Sequence, residues 1–171
     1  MLERFLAWDA RSTARLSIAE KSGPLRTAAA ILAHSGDSWF WLLGLGLVWL
    51  LSQATWRVLS FRLAVAVILT AGLVLALKFA VRRRRPEGTW GGIYRKTDPH
   101  SFPSGHAARA VLLACLTAGW GPAWLAATLA MWAPLVVLAR VAMGVHYLSD
   151  VFAGAALGLV IGTFGILLFP F

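Results

Sequence analysis

The sequence predicts an all-α membrane protein, a polytopic bundle of transmembrane helices that forms one domain over residues 1–171. Hydrophobic residues make up 59% of the chain and charged residues only 13%. The mean hydropathy of +0.72 is too high for a soluble domain of this length. Five long apolar runs are separated by short polar breaks. The nine Trp residues suit the two interfaces of a bilayer, where aromatic side chains concentrate.

The N-terminal segment, residues 1–33, mixes apolar and charged side chains. It is not a cleavable signal peptide, because no continuous apolar core follows its first charges. The pattern predicts an amphipathic helix at the membrane interface, broken at Gly23 and Pro24. The short apolar stretch 25–33 leaves open whether this segment adds a sixth crossing.

The predicted spans follow this segment in order. The first apolar run, 39–51, is short for the about 20 residues that a helix needs to cross a bilayer, so it is expected to extend to Trp56. Arg57 and Arg62 are expected to mark the first turn. Two spans lie between the polar loops 82–103 and 143–149, so both loops are expected on the same face of the membrane, whether or not the N-terminal segment crosses it. The five spans are residues 39–51 extended to Trp56, 63–81, 104–120, 123–143 and 149–169.

The chain is strongly basic, with 16 Lys and Arg residues against 7 acidic residues and a formal net charge of +9. The basic residues cluster between the apolar runs, which fits a membrane surface better than nucleic acid. We therefore expect Arg82, Arg83 and Arg84 either to bind lipid phosphates or to anchor the cytoplasmic side of the helix. The single cysteine, Cys115, allows no intramolecular disulfide.

Two basic residues lie within apolar runs, Lys78 in the second span and Arg140 near the end of the fourth. An ionisable group at membrane depth costs about 2.5–3.5 kcal/mol on insertion. Either the side chains snorkel to the polar face or they point into the bundle. Lys78 and Arg85 share one helix face, and Pro86 ends that helix.

The hexapeptide 101–106, Ser-Phe-Pro-Ser-Gly-His, joins the polar loop to the third span. Pro103 cannot continue a helix, and Ser104 is a good N-cap. Gly105 allows close approach of the backbone to a ligand. The unpaired N–H groups of a helix start suit a phosphate, and His106 lies beside them. Taken alone, the segment also fits an ordinary capped helix with an incidental histidine.

His146 and Asp150 are four residues apart. If this stretch is helical, the carboxylate can orient one ring nitrogen and leave the other free. The alternative is that Asp150 is the N-cap of the fifth span and His146 a loop residue. His34 and His100 have no partner at an informative spacing, and no role is assigned to them.

Three segments together form a recognisable pattern: Lys78-x6-Arg85-Pro86, then Pro103-Ser104-Gly105-His106, then Arg140-x5-His146-x3-Asp150. This pattern resembles the three-part signature of the type-2 phosphatidic acid phosphatase family, the lipid phosphate phosphatases. All three parts occur in order with the expected spacings over residues 78–150. Ala139 stands where the family usually has Ser.

The resemblance implies a role for each residue of the signature. His146 would be the nucleophile that forms a phosphohistidine, Asp150 would orient it, and His106 would protonate the leaving group. A transferring phosphoryl group also needs positive charge and hydrogen-bond donors at its oxygens. No metal and no cofactor is expected. The residues expected to bind the substrate phosphate are Lys78, Arg85, Ser104, Gly105 and Arg140.

The expected protein is thus a metal-independent phosphoric ester hydrolase of the membrane. Its substrate would be a phosphomonoester or diphosphate of a phospholipid or polyprenyl lipid. The alternatives are a catalytically silent protein that binds anionic lipid, and a transporter. Neither accounts for His106 together with His146 and Asp150. We expect a bacterial inner membrane, an extracytoplasmic active site and no nucleic-acid partner; the oligomeric state stays open.

Overall fold

The computed structural model describes residues 1–88 and 90–171, without the side chain of Ile93, and this part of the chain is all-α. It contains no strand, only one isolated bridge between Arg84 and His100. The described residues form eight helices: α1 (Leu2–Leu16), α2 (Pro24–Ser35), α3 (Ser38–Leu51), α4 (Ala54–Val81), α5 (Gly92–Thr97), α6 (Gly105–Trp120), α7 (Ala123–Ala142) and α8 (Leu148–Leu168).

Three of these helices, α4, α7 and α8, are long and apolar enough to cross a membrane. The other two predicted spans form shorter helices, because α3 has 14 residues and α6 has 16. All five apolar runs are therefore helical, but the prediction of five spans is not confirmed. α2, with 12 residues, is short for a sixth crossing.

The turn between α3 and α4 lies earlier than the sequence suggested. Ser52 and Gln53 make the turn, so the predicted extension of the first span to Trp56 is wrong. Arg57 and Arg62 lie inside α4 instead of marking the turn. The helix tolerates Arg62 because its Nη1 donates to two carbonyl groups at the C-terminal end of α8, at 3.1 and 3.2 Å.

α1 is amphipathic as predicted, but its polar side faces the protein. Asp9 and Thr13 are buried, whereas its large apolar side chains are exposed, as expected for a helix that borders lipid. The two buried residues accept hydrogen bonds from the start of α8. Leu148 N–H donates to Thr13 Oγ1 at 3.0 Å and Ser149 N–H to Asp9 Oδ1 at 3.1 Å. α1 thus caps N–H groups that have no partner within α8.

α6 and α8 pack closely because small residues on α8 face α6. A Cβ atom at Gly154 would lie 2.3 Å from the carbonyl oxygen of Ser104, and one at Gly158 would lie 2.1 Å from that of Ala108. Glycines spaced by four let two helix backbones approach in this way. The starts of the helices meet, with Ser104 N–H donating to the Asp150 carbonyl at 2.9 Å. This packing brings two parts of the signature together.

Replacing Gly158 by Ala is expected to destabilise the bundle, since the new Cβ would force α6 and α8 apart. Overpacking of this kind costs typically about 1–3 kcal/mol, seen here as a lower midpoint of thermal unfolding in detergent. The control is Gly72→Ala in α4, where a Cβ meets nothing within 4 Å and Ala favours the helix. Equal midpoints for the two variants would contradict the close packing.

Candidate active site

The N-terminus of α6 forms one wall of the candidate site. Ser104 is the N-cap, as predicted, and its side chain accepts a hydrogen bond from Ala107 N–H at 3.4 Å. Gly105 is the first helical residue and packs close to α4, because a Cβ there would lie 3.4 Å from Val74 Cγ1. His106 follows in the first turn. The helix start therefore offers free N–H groups next to an imidazole.

A cavity of about 280 Å³ opens at this helix start. Its polar wall includes Lys78, Arg85, His106 and His146, and its apolar wall comes from α4. Arg85 Nη1 lies 3.1 Å from His146 Nε2, so the loops that follow α4 and α7 meet on one face of the bundle. The prediction that these two loops share a face is confirmed.

The contact with Arg85 identifies the tautomer of His146. A guanidinium group can only donate hydrogen bonds, so Nε2 of His146 is the acceptor and Nδ1 carries the proton. Burial, together with the charges of Arg85, Arg140 and Lys78, holds the pKa of His146 well below its usual value. The ring is therefore neutral at neutral pH, with the lone pair of Nε2 directed toward a cationic group.

Asp150 lies close to His146 but not in the geometry expected from an i, i+4 pair. His146 precedes α8 and is not helical, and its Nδ1 is 3.6 Å from Asp150 Oδ2, which is longer than a hydrogen bond. Oδ2 accepts instead from the N–H of Tyr147 at 2.8 Å, within the first turn of α8. Asp150 thus serves the helix start and also places a negative charge beside the histidine.

Lys78 is buried and points into the bundle, which excludes snorkelling for this residue. Its Nζ donates to Asp98 Oδ2 at 2.6 Å and to the carbonyl of His100 at 2.7 Å. α4 ends at Val81, so Arg85 does not share a helix face with Lys78 as predicted. Its Nη2 nevertheless donates to the same Asp98 oxygen at 2.8 Å. One carboxylate, 35% exposed in its side chain, therefore bridges two cations that were predicted to bind phosphate.

Arg140 is fully buried and also does not snorkel. Its Nη1 donates to the carbonyl of Ala33 at 3.2 Å, and its guanidinium lies 4.4 Å from the centre of the Tyr94 ring. Among the described residues, Nε and Nη2 have no hydrogen-bond partner. The Tyr94 ring also contacts His106, with ring centroids 5.7 Å apart. Arg140 therefore approaches the site behind Tyr94 and retains donors for an anion.

Arg83 is paired with two carboxylates of the protein itself, unlike the lipid contact predicted for it. Its Nη1 donates to Asp150 Oδ1 and its Nη2 to Asp9 Oδ2, both at 2.7 Å. The guanidinium also stacks on Tyr147, 4.0 Å from the ring centre. Arg83 is partly buried, whereas Arg82 and Arg84 are exposed and could still reach lipid headgroups. A single arginine thus joins α1 to the carboxylate beside His146.

A second carboxylate, Asp37, lies beside the other histidine. The sequence suggests only that Asp37 or Ser38 caps the helix that follows. Its Oδ1 is 2.6 Å from His106 Nε2 and accepts from the Tyr94 hydroxyl at 3.0 Å. His34 Nδ1 lies 3.3 Å from Oδ2 of Asp37. His34 therefore does have a partner, three residues away, which the reading of its spacing missed. Arg109, which also borders the cavity, was missed as well.

Within the described residues, no group of three or more His, Cys, Asp or Glu side chains is arranged to hold a metal ion. The charges near the cavity are instead those of arginine, lysine and isolated carboxylates. Such groups can bind an anion, hold a neutral nucleophile and transfer a proton. This chemistry is that of phosphoryl transfer assisted by cationic side chains.

Comparison with known families and proteins gives consistent matches. The PAP2 superfamily profile matches residues 59–171. The decaprenylphosphoryl-5-phosphoribose phosphatase of Mycobacterium tuberculosis (strain CDC 1551 / Oshkosh) is 32% identical over 152 residues, 86% of this chain and 81% of that protein. The lipid A 1-phosphatase of Porphyromonas gingivalis is 33% identical over 107 residues. That alignment spans 60% of this chain but only 22% of the relative.

Two solved structures resemble the fold. The crystal structure of Aquifex aeolicus LpxE has a TM-score of 0.68 at 25% identity and covers 88% of this chain and 90% of its own. The transmembrane PAP2-type phosphatidylglycerolphosphate phosphatase of Bacillus subtilis has a TM-score of 0.71 at 22% identity. It covers 94% of this chain and 83% of its own, and at this identity the likeness concerns the fold alone.

Replacing Arg83 by Ala is expected to lower both stability and turnover, because two buried carboxylates would lose their shared counter-ion. Because Arg83 is partly exposed, we expect the free energy of unfolding to fall by about 2–3 kcal/mol. This is at or below the low end for breaking a fully buried ion pair. Thermal unfolding in detergent and phosphate release measure the two effects. The control is Arg84→Ala, an exposed neighbour. Equal behaviour of the two variants would contradict the bridge through Arg83.

Proposed function

The chain belongs to the PAP2 superfamily, and on that basis we propose that it is an integral membrane phosphatase that hydrolyses lipid phosphates without a metal ion. One observation carries the proposal. His106 and His146 border the same cavity as Lys78 and Arg85, at the start of a helix. A nucleophile, a proton donor and the cations that bind a phosphate are thus available within one small space.

In the first half of the reaction, Nε2 of His146 attacks the phosphorus atom of the substrate. A P–N bond forms as the P–O bond to the lipid breaks, and the electron pair stays on the departing oxygen. His106 donates a proton to that oxygen, so the lipid leaves as an alcohol. The neutral state of His146 supports this role, because a protonated ring has no lone pair for attack.

In the second half, water hydrolyses the phosphohistidine. His106, now neutral, takes a proton from the water molecule as its oxygen bonds to phosphorus. The P–N bond breaks, its electron pair returns to Nε2 of His146, and inorganic phosphate is released. Asp150, near Nδ1 of His146, stabilises the positive charge that the ring carries while it is phosphorylated.

The phosphate group would replace Asp98 between Lys78 and Arg85. These two cations donate to one carboxylate oxygen at 2.8 Å or less, which is the charge and hydrogen-bond pattern that a phosphate oxygen offers. The Asp98 side chain is 35% exposed and lies just after α5, so it can turn toward solvent. Ser104, Gly105 and the unpaired donors of Arg140 would complete the phosphate site.

A silent lipid-binding protein and a transporter explain the observations less well. Either could use buried cations, but neither needs a neutral histidine held by an arginine at Nε2. Neither needs a second histidine paired with its own carboxylate in the same cavity. We therefore prefer the enzyme.

For the substrate, we propose a phosphomonoester of a polyprenyl-linked lipid. The support is the mycobacterial decaprenylphosphoryl-5-phosphoribose phosphatase, which aligns over most of both chains. An apolar groove of about 450 Å³ between α3, α4 and α7 offers room for part of a hydrocarbon chain. The alternative substrates are phosphatidate, phosphatidylglycerol phosphate, a polyprenyl diphosphate and lipid A phosphates. Measuring kcat/KM for each of these lipids and for the polyprenyl-linked phosphomonoester would rank them.

His146→Ala is expected to abolish phosphate release from all these lipids. The fall should exceed about a thousandfold, because the covalent route is lost with the nucleophile. The wild-type protein should form an acid-labile phosphoenzyme that the variant lacks, and should keep its turnover in EDTA. An unchanged unfolding midpoint for His146→Ala establishes that the variant is folded. A phosphoenzyme in that variant, or a chelator effect reversed by a divalent ion, would overturn the mechanism.

We propose further that the active site lies on the extracytoplasmic face of a bacterial inner membrane, as the family resemblance implies. In a Cys115→Ser background, a membrane-impermeant maleimide should label Trp90→Cys in intact cells. Arg57→Cys, at the opposite end of α4, is the control and should react only after the cells are permeabilised. The reverse pattern of labelling would place the site on the cytoplasmic face.

A further inference from the structure

The proton donor of the proposed reaction has a partner that the three-part signature does not include. Asp37 stands between α2 and α3, outside residues 59–171 that the family profile covers. Its Oδ1 lies 2.6 Å from His106 Nε2, and both side chains are nearly buried, 14% and 13% exposed. This contact joins residues far apart in the sequence, so it depends on how the N-terminal segment folds back.

Asp37 is ionised in this position. Burial alone would raise the pKa of Asp37, but the hydrogen bond and charge of His106, and hydrogen bonds from Tyr94 and His34, hold it well below its usual range. A carboxylate can only accept hydrogen bonds, so Nε2 of His106 carries a proton. Nδ1 is then the ring nitrogen left to exchange a proton with the substrate.

The turn that carries Asp37 is fixed by the helix that carries His106. Arg109 lies one turn after His106 on α6 and donates to the carbonyl of Gly36 and to the hydroxyl of Ser38. These are the two residues that flank Asp37. Gly36 also permits the close approach, because a Cβ there would lie 3.1 Å from His106 Cδ2. Arg109 and Gly36 therefore hold the carboxylate against the imidazole.

We propose that Asp37 is a positioning residue for His106. Asp37 fixes the tautomer of the His106 ring and stabilises the imidazolium form, which is lost and restored during the reaction. The inference rests on the proposed function. When His106 donates its Nδ1 proton to the departing alkoxide, the ring becomes neutral. Its Nε2 keeps its own proton and continues to donate a hydrogen bond to Asp37. When it takes a proton from water in the second step, the carboxylate stabilises the restored positive charge.

The buried positive charges around His106 explain why its ring needs a carboxylate partner. Arg109 and Arg140 are buried near His106, and their positive charges disfavour a positive charge on its ring. A carboxylate at 2.6 Å provides the opposing attraction. Asp37 makes no side-chain hydrogen bond that caps α3, so its carboxylate is not needed to begin that helix.

The test compares two substrates in the Asp37→Asn variant. An alkyl phosphate leaves as an alkoxide that needs a proton, whereas a nitrophenyl phosphate leaves as a stable phenolate. Single-turnover release of alcohol should fall about a hundredfold, the low end of what general acid catalysis contributes, and the burst of phenolate should stay within about twofold. Steady-state turnover of the nitrophenyl ester should fall and phosphoenzyme accumulate, because water activation also needs His106.

A double-mutant cycle separates this role from a structural one. In a His106→Ala background, adding Asp37→Asn should change alkyl phosphate turnover by less than about twofold, because residues that act as a unit are not additive. Asp37→Ser, which keeps a residue suited to an N-cap, must show the same split and replaces Asp37→Asn if that protein does not fold. Asp37→Glu, which keeps the charge, should recover part of the alcohol release.

The outcomes are distinct. Equal losses of single-turnover release on both esters, additive losses in the cycle, or full activity of Asp37→Asn would each overturn the role of Asp37 while leaving the phosphatase intact. Absence of any phosphoenzyme in the wild-type protein would instead overturn the proposed function.

Discussion

Compensation of buried positive charge is the constraint on which the arrangement of this protein depends. Lys78, Arg83, Arg85, Arg109 and Arg140 lie inside a bundle whose outer surface is largely apolar. A cation in such a place is stable only with partners that replace water. The partners are carboxylates and backbone carbonyls from many parts of the chain: Asp9 on α1, the turn before α3, the segment around α5, and the start of α8.

Several residues that border the candidate site could be predicted from the sequence because their motifs are local. Ser104 caps α6 as a serine after a proline should. Lys78 and Arg85 meet as predicted, but not along one helix face, because α4 ends before Arg85, which reaches Asp98 from the loop. The helical nature of every apolar run was equally readable. The start of α4 could not be predicted, because Arg57 and Arg62 resemble turn residues. Arg62 is satisfied by carbonyl groups at the end of α8, a contact between residues more than one hundred positions apart.

The partners of the candidate site residues could not be predicted, because they come from distant parts of the sequence. Arg83 has two basic neighbours with exposed side chains, and no local feature distinguishes it from them. Only the docking of α1 places Asp9 beside it. Asp37 reads as an ordinary helix cap until α6 brings His106 to it. The N-terminal helices are therefore more than a membrane anchor. They supply a carboxylate to each end of the site and cap the helix that carries Asp150.

The balance of these charges bears on the kind of phosphate that fits. Apart from His106, whose ring loses and regains a proton during the proposed reaction, five basic side chains face four carboxylates, those of Asp9, Asp37, Asp98 and Asp150, which leaves one positive charge in excess. A phosphodiester that displaced Asp98 would exchange one negative charge for another and leave that excess unchanged. A phosphomonoester dianion would neutralise it and could also use the free donors of Arg140. In a region of low dielectric this difference favours the monoester. Because a bound phosphate must displace the Asp98 carboxylate from Lys78 and Arg85, the site would thus favour terminal phosphates over the internal diesters of membrane lipids.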